Sequence, residues 1–116
     1  MNEEDLKART KRFALRVIDV VHALPENTAG WAIGRQLVRS GTSVGANYRA
    51  SCLARSKAEF IAKLGIVEEE ADETCFWLEL ITEAKLIPSR RIAPLLTEAN
   101  ELVAIISASR KTARKR

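Results

Sequence analysis

Apolar residues recur along this chain at helical spacing and at no other period, which restricts it to an all-α fold. The sequence has only three prolines and five glycines, and no run of alternating β-branched residues predicts a strand. Pro25 and Pro88 cannot continue a helical hydrogen-bond ladder, and Ser56 with Glu59 has the spacing of a capping box. These breaks divide the chain into four predicted helices.

The four helices are predicted at about residues 3–24, 28–52, 57–86 and from 89 onward. Asn27 or Thr28 is expected to cap the second helix, Ser56 the third and Ser89 the fourth. Pro94 either bends the fourth helix or moves its start downstream. Short connections require antiparallel neighbours, so residues 1–109 are predicted to form an up-down-up-down four-helix bundle. Residues 110–116 form a basic C-terminal tail that is expected to fray.

Three glycines share the apolar face of the second helix with Leu37 and Val44. Gly34, Gly41 and Gly45 each cost about 1 kcal/mol of helix propensity, so their presence on the buried side predicts that another helix backbone approaches closely there. The core stripe of the fourth helix comprises Ile92, Leu95, Leu96, Ala99, Leu102, Val103 and Ile106.

The third helix has more apolar surface than one bundle needs. Its inner stripe runs through Phe60, Leu64, Val67, Ala71, Cys75 and Leu78, and a second stripe comprises Ala58, Ala62, Ile66, Phe76, Trp77, Leu80 and Ala84. We call the second set the outer stripe. It predicts a homo-oligomer whose interface includes Ile66, Glu69, Glu73, Phe76, Trp77 and Leu80. The alternative is a wide bundle that covers both stripes.

Charges are strongly segregated along the chain. Residues 27–55 have four arginines and no acid, residues 57–87 have eight acids against three lysines, and residues 88–116 have seven basic residues against two acids. Candidate phosphate contacts are Arg9, Arg12, Arg16, Arg35, Arg39, Arg49, Arg110, Lys111, Arg114, Lys115 and Arg116. The segregation favours binding of RNA or DNA, with a protein scaffold as the alternative.

The scaffold alternative depends on what contacts Arg35, Arg39 and Arg49, which form a basic ridge on the second helix. These arginines could pair with acids of the third helix, among them Glu68, Glu69, Asp72 and Glu73, within or between subunits. Trp31 and Tyr48 could stack on bases, but both lie near the apolar side of the second helix, which favours packing.

No residue pattern predicts catalysis, a metal or a cofactor. Residues 41–45 spell GxSxG, but that motif requires a strand before the serine and a histidine after it, whereas His22 precedes Ser43 and the stretch is predicted to be helical. Cys52 and Cys75 are isolated. No apolar run approaches the roughly 20 residues of a membrane span, and the N-terminus has no signal-peptide pattern. We therefore expect a noncatalytic cytoplasmic protein.

The segment RSGTSVGAN followed by ARSKAEF resembles the bacterial four helix bundle proteins encoded in intervening sequences of large-subunit ribosomal RNA genes. The matching residues are Arg39, Ser40, Ser43, Val44, Ala46, Asn47, Ser56, Glu59 and Phe60. The resemblance implies a homopentameric barrel akin to the accessory variability determinant of diversity-generating retroelements, which binds nucleic acid and a reverse transcriptase. Tyr48, Arg49 and Ala50 depart from the family pattern, so the second helix is expected to run longer.

Overall fold

The computed structural model describes residues 1–116 and contains four α-helices and no strand. They are α1 (Glu3–Ala23), α2 (Thr28–Cys52), α3 (Lys57–Glu83) and α4 (Ser89–Lys115). Successive helices pack against each other, and α1 and α4 meet along a looser seam that closes the bundle. The molecule measures 47 × 21 × 20 Å. The predicted all-α, four-helix architecture is confirmed, whereas the homopentameric barrel stays a prediction.

Side-chain caps begin the first three helices. Asn2 Oδ1 accepts from the Asp5 backbone N–H at 2.8 Å, and the Asp5 carboxylate accepts from the Asn2 N–H, a complete capping box. Asn27 caps α2 by accepting from the Gly30 N–H at 2.9 Å. Ser56 caps α3 as predicted, but the Glu59 carboxylate accepts from the Arg55 N–H. Only half of the capping box predicted at Ser56 therefore forms.

The end of α3 is set by a lysine in the left-handed region. Lys85 has φ 58°, the only positive φ in the chain, and its N–H donates to the Thr82 carbonyl at 3.1 Å. The Leu86 N–H donates to the Ile81 carbonyl at 3.0 Å, which completes a Schellman motif. The helix ends at Glu83 and not near Leu86 as predicted, because Lys85 reverses the chain.

Two predictions about α4 are wrong. Pro88 occupies the N-cap position and Ser89 is the first helical residue, so Ser89 does not cap the helix. Residues from Arg110 onward do not fray, because α4 continues to Lys115. Arg110 donates to Glu68 of α3 at 3.0 Å, and Lys57 Nζ donates to the Arg116 carbonyl at 2.7 Å. Basic residues also suit the negative end of a helix dipole.

Glycines of α2 let α1 approach closely, as predicted. A Cβ at Gly41 would lie 2.7 Å from both Cγ atoms of Val17, and one at Gly45 would lie 3.3 Å from Thr10 Oγ1. The sequence did not predict the constraint at Gly30, where a Cβ would lie 1.8 Å from the Pro25 carbonyl oxygen. The connection between α1 and α2 is therefore held against the glycine face of α2.

By length and composition alone, α4 is long and apolar enough to cross a membrane, although Glu98 and Glu101 interrupt its apolar residues. Within the bundle its apolar residues Ile92, Leu95, Leu102 and Ile106 are buried in the core. The apolar face of α4 is therefore used by packing against the other helices.

Candidate nucleic-acid interface

The predicted arginine ridge of α2 is divided in the structure. Arg39 donates to Glu70 at 2.8 Å and also to Glu73, so it bridges α2 to α3 within one chain. Arg35 and Arg49 are exposed and form no salt bridge. The scaffold alternative predicted that the ridge arginines pair with acids of α3. Within one chain only Arg39 does so.

Glu73 receives two hydrogen bonds that hold it in its charged form. The indole N–H of Trp77 donates to it at 3.0 Å, and the Arg39 guanidinium is its second donor. These two bonds lower the pKa of Glu73 below its usual value, and the bond from Trp77 has the larger effect. Glu73 therefore joins the ridge of α2 to the predicted oligomer interface.

Two more of the predicted phosphate contacts are committed to intrachain pairs. Arg9 forms a two-bond pair with Glu98 of α4, both bonds being 2.7 Å, and it also contacts Glu101 at 2.9 Å. The hydrogen bonds from Arg9 lower the pKa of Glu98. Arg110 pairs with Glu68, and its Nε is buried without a hydrogen-bond partner. Arg9 thus joins α1 to α4, and Arg110 joins α4 to α3.

The other predicted phosphate contacts are exposed and form no salt bridge. They are Arg12, Arg16, Arg35, Arg49, Lys111, Arg114, Lys115 and Arg116, and we call them the free cations. Arg12 and Arg16 lie on α1, Arg35 and Arg49 on α2, and the remainder at the end of α4. Among the predicted phosphate contacts, unpaired positive charge is thus available on α1, on α2 and at the C-terminus.

Sequence reasoning did not single out Arg91 as a site residue. Arg91 lines a groove of about 200 Å³ between α1 and α4 together with Arg16, Asp19 and the apolar residues Val20 and Leu95. It follows Arg90 at the start of α4, and this pair of arginines was the available signal. The structure brings Arg91 beside Arg16 because α1 and α4 are antiparallel neighbours.

The outer stripe of α3 is largely exposed. Phe76 is 53% exposed and Ile66 46% exposed, whereas Trp77 and Leu80 are half-buried. The rings of Phe76 and Trp77 contact edge to face at 4.9 Å between centroids. The alternative of a wide bundle that covers both stripes is therefore wrong for this chain.

The residues that carry the family resemblance have structural roles within α2 and at its contact with α3. Ser40 is buried and accepts a hydrogen bond from the Thr74 hydroxyl at 2.9 Å. Ser43 donates to the Arg39 carbonyl at 2.6 Å, and Asn47 Nδ2 donates to the Ser43 carbonyl at 2.8 Å. The GxSxG stretch lies within α2, as predicted. Ser40 thus joins α2 to α3, whereas Ser43 and Asn47 form hydrogen bonds within α2.

The two cysteines are free thiols, Cys75 buried and Cys52 partly exposed. Burial raises the pKa of the Cys75 thiol to about 11, and its Sγ lies 3.6 Å from Asn100 Oδ1. Burial also raises the pKa of Cys52. Raised values keep both thiols protonated at neutral pH, a state that favours packing over nucleophilic chemistry.

The fold, the segregated charges and the exposed outer stripe define a four-helix-bundle protein with charged and apolar outer surfaces. The chain belongs to the 23S rRNA-intervening sequence protein family, whose model matches residues 3–108. The resemblance found in the sequence is thereby confirmed.

A solved structure supports the same assignment. The chain is similar to a protein of unknown function from the S23 ribosomal protein family of Bacteroides thetaiotaomicron VPI-5482, with 32% identity and a TM-score of 0.85. The match covers 90% of this chain and 97% of that protein. No curated protein matches the chain.

Proposed function

We propose that the protein is a noncatalytic homo-oligomer that binds RNA or DNA through its free cations. The observation that carries this proposal is the division among the basic residues. Arg9, Arg39 and Arg110 are paired within the chain, whereas the free cations of α1, α2 and the C-terminus have no acidic neighbour in a salt bridge. Unpaired surface cations attract phosphates by releasing the counterions that surround nucleic acid.

The outer stripe of α3 is the proposed contact between subunits. It combines exposed aromatic and aliphatic side chains with Glu69 and Glu73, a composition that fits the core and rim of a protein interface. An oligomer would repeat the free cations around its surface, and repetition multiplies weak phosphate contacts by effective concentration. Assembly and nucleic-acid binding are thus parts of one proposal.

A protein scaffold without nucleic-acid binding is the second candidate, and the Arg39 pairs favour it. In that case Arg35 and Arg49 would meet acids of a neighbouring subunit, as Arg39 meets Glu70 and Glu73 within its own. Exposed acids available for this are Glu69, Asp72, Glu79 and Glu83 on the outer side of α3.

Electrophoretic mobility shift at low salt tests nucleic-acid binding. We expect wild type to bind labelled RNA and DNA, and the combined variant Arg12→Gln, Arg16→Gln and Arg35→Gln to bind much more weakly because three phosphate contacts are lost. Removal of residues 110–116 takes away four free cations, Lys111, Arg114, Lys115 and Arg116, and should weaken binding at least as much. No binding by wild type at low salt would overturn the proposal in favour of the scaffold.

Light scattering tests the assembly. We expect Trp77→Glu or Ile66→Glu to reduce the molar mass of the oligomer, because each places an unpaired charge in the interface. Ala104→Glu is the matched control, since Ala104 is exposed on α4 and away from the outer stripe. A wild type that is monomeric at micromolar concentration would contradict the oligomer.

The resemblance extends the proposal to one protein partner, a reverse transcriptase. Co-purification of the two proteins in the presence of nuclease tests this contact separately, because nuclease removes any bridge made by nucleic acid. Loss of the reverse transcriptase after nuclease treatment would contradict a direct contact.

A further inference from the structure

An exposed tryptophan lies over a groove at the turn between α1 and α2. Trp31 is in the first turn of α2, and 57% of its surface is exposed. The groove has a volume of about 390 Å³, within the range of small-molecule sites. Its walls include Val21 and Pro25 from the α1 side and Val38 from α2. Trp31 is therefore outside the core, and its indole borders a partly apolar groove.

The groove is held open by glycines and by a fixed turn. Gly30 and Gly34 line it and are buried. A Cβ at Gly30 would overlap the Pro25 carbonyl, and one at Gly34 would lie 3.4 Å from Leu24. Asn27 caps the helix by accepting from the Gly30 N–H. The indole is thus carried by a rigid helix start, which favours binding because little ordering is needed.

One cation lies next to the indole. Arg35 follows Trp31 by four residues, so the two share one side of α2, and both line the groove. Arg35 is exposed and forms no salt bridge. Glu26, also in the lining, carries a negative charge. A neutral planar group against Trp31 with its attached anion at Arg35 therefore fits this arrangement better than an anion deep in the groove.

A nucleotide of a single strand has this chemistry. Every base has a flat face that can stack on an indole. Its sugar is esterified to a phosphate, so each stacked base has an anion attached close by. In a duplex the bases are stacked on one another and paired, so they cannot reach Trp31 without being unpaired. The groove therefore distinguishes single strands from duplexes, although the free cations attract both.

We propose that the Trp31 groove is a base-stacking site for single-stranded nucleic acid, in which a base stacks on the Trp31 indole while Arg35 contacts the adjoining phosphate. This inference rests on the proposed function and adds to it a strand preference and a specific contact.

Intrinsic fluorescence of the full-length protein tests the site. We expect a single-stranded oligothymidylate to quench the emission of wild type at low salt, because a stacked base deactivates the excited indole. Trp31→Phe retains Trp77 as its only tryptophan, and its tryptophan emission should not respond. Trp31→Ala should bind the same oligonucleotide about tenfold more weakly, which is the loss of one stacked base.

An abasic strand of the same length is the matched ligand control. It should bind wild type and Trp31→Ala equally, because it retains phosphates and lacks bases. Equal binding of oligothymidylate by wild type and Trp31→Ala would overturn the stacking site and leave the proposed function intact. No salt-dependent binding of any strand would overturn both. If light scattering shows that Trp31→Ala disperses the oligomer, the groove is a subunit contact and the stacking site is wrong.

Discussion

Substitution of Gly41 by alanine should destabilise the protein even though alanine is the better helix former. The new Cβ would lie 2.7 Å from both Cγ atoms of Val17 and 3.0 Å from its Cβ. Carbon atoms in ordinary contact lie about 3.5 to 4.0 Å apart. Val17 is fully buried, and a β-branched side chain in a helix has one strongly preferred rotamer. The clash is therefore relieved only if α1 moves away from α2.

The magnitude follows from two opposing effects. Alanine gains about 1 kcal/mol of helix propensity over glycine. Overpacking a filled core costs about 1 to 3 kcal/mol, and two methyl groups in simultaneous overlap place Gly41 at the upper end. We expect a net loss of about 2 kcal/mol, equivalent to about 8 °C in Tm for a chain of this size. Gly41→Leu should be worse.

Gly65→Ala is the matched control within a helix interior. Its Cβ would first meet the Arg110 guanidinium at 3.3 Å, the end of a long side chain that needs to shift by only a few tenths of an ångström while it stays paired with Glu68. We expect this variant to gain about 0.5 to 1 kcal/mol from helix propensity. Val17→Ala should partly restore Gly41→Ala, with a coupling energy of about 1 to 2 kcal/mol in the double-mutant cycle.

Urea denaturation monitored by circular dichroism measures the stability of wild type and of these five variants. Protomer concentration must be equal throughout, because assembly contributes to apparent stability. A Gly41→Ala protein as stable as wild type would refute the close approach of α1 to α2. Equal gains from Gly41→Ala and Gly65→Ala would refute it as well.

Three further substitutions, and Lys63→Gly as a control, test local features by the same measurement. Gly30→Ala should destabilise more than Gly41→Ala, because its obstacle is the Pro25 backbone oxygen, which cannot rotate aside; a neutral effect would contradict the turn. Lys85→Gly should gain about 0.5 to 1 kcal/mol by relieving the left-handed conformation, whereas Lys63→Gly within α3 should lose about 1 kcal/mol. Glu98→Gln should lose about 1 to 2 kcal/mol at pH 7. Arg9 lowers the pKa of Glu98 in the folded protein below its ordinary value of 4.5. The pair therefore stabilises the fold above pH 4.5, and this stabilisation disappears as pH falls through the pKa of folded Glu98. If wild type and Glu98→Gln differ as much in stability at pH 2 as at pH 7, the pair is contradicted.

Helix number, order and core could be predicted because local signals agree with packing. The period of Leu37 and Val44 and the breaks at Pro25 and Pro88 define the elements before any tertiary contact is known. The glycines of α2 even predicted close packing. Element ends were harder, because the reversal at Lys85 has no glycine to indicate it and Arg110 extends α4 through a contact with Glu68 on another helix.

The sequence predicted which basic residues belong to the candidate site, but not which of them pair with acids. Sequence periodicity places Arg35 and Arg39 on one side of α2, but only the fold shows that Arg39 reaches Glu70 and Glu73. Likewise, Arg9 lies 89 residues before its partner Glu98. Long-range pairing of this kind depends on how helices are rotated in the bundle, which one sequence does not determine.

The salt dependence of nucleic-acid binding by two variants tests the central claim most directly. Arg35→Gln removes a free cation, and Arg39→Gln removes a neighbour on the same helix that is paired with Glu70 and Glu73. The slope of log Kd against log salt should fall by about 0.7 for a single strand in Arg35→Gln and stay at the wild-type value in Arg39→Gln. Equal slopes in wild type and Arg35→Gln, or a slope of zero in wild type, would contradict the account.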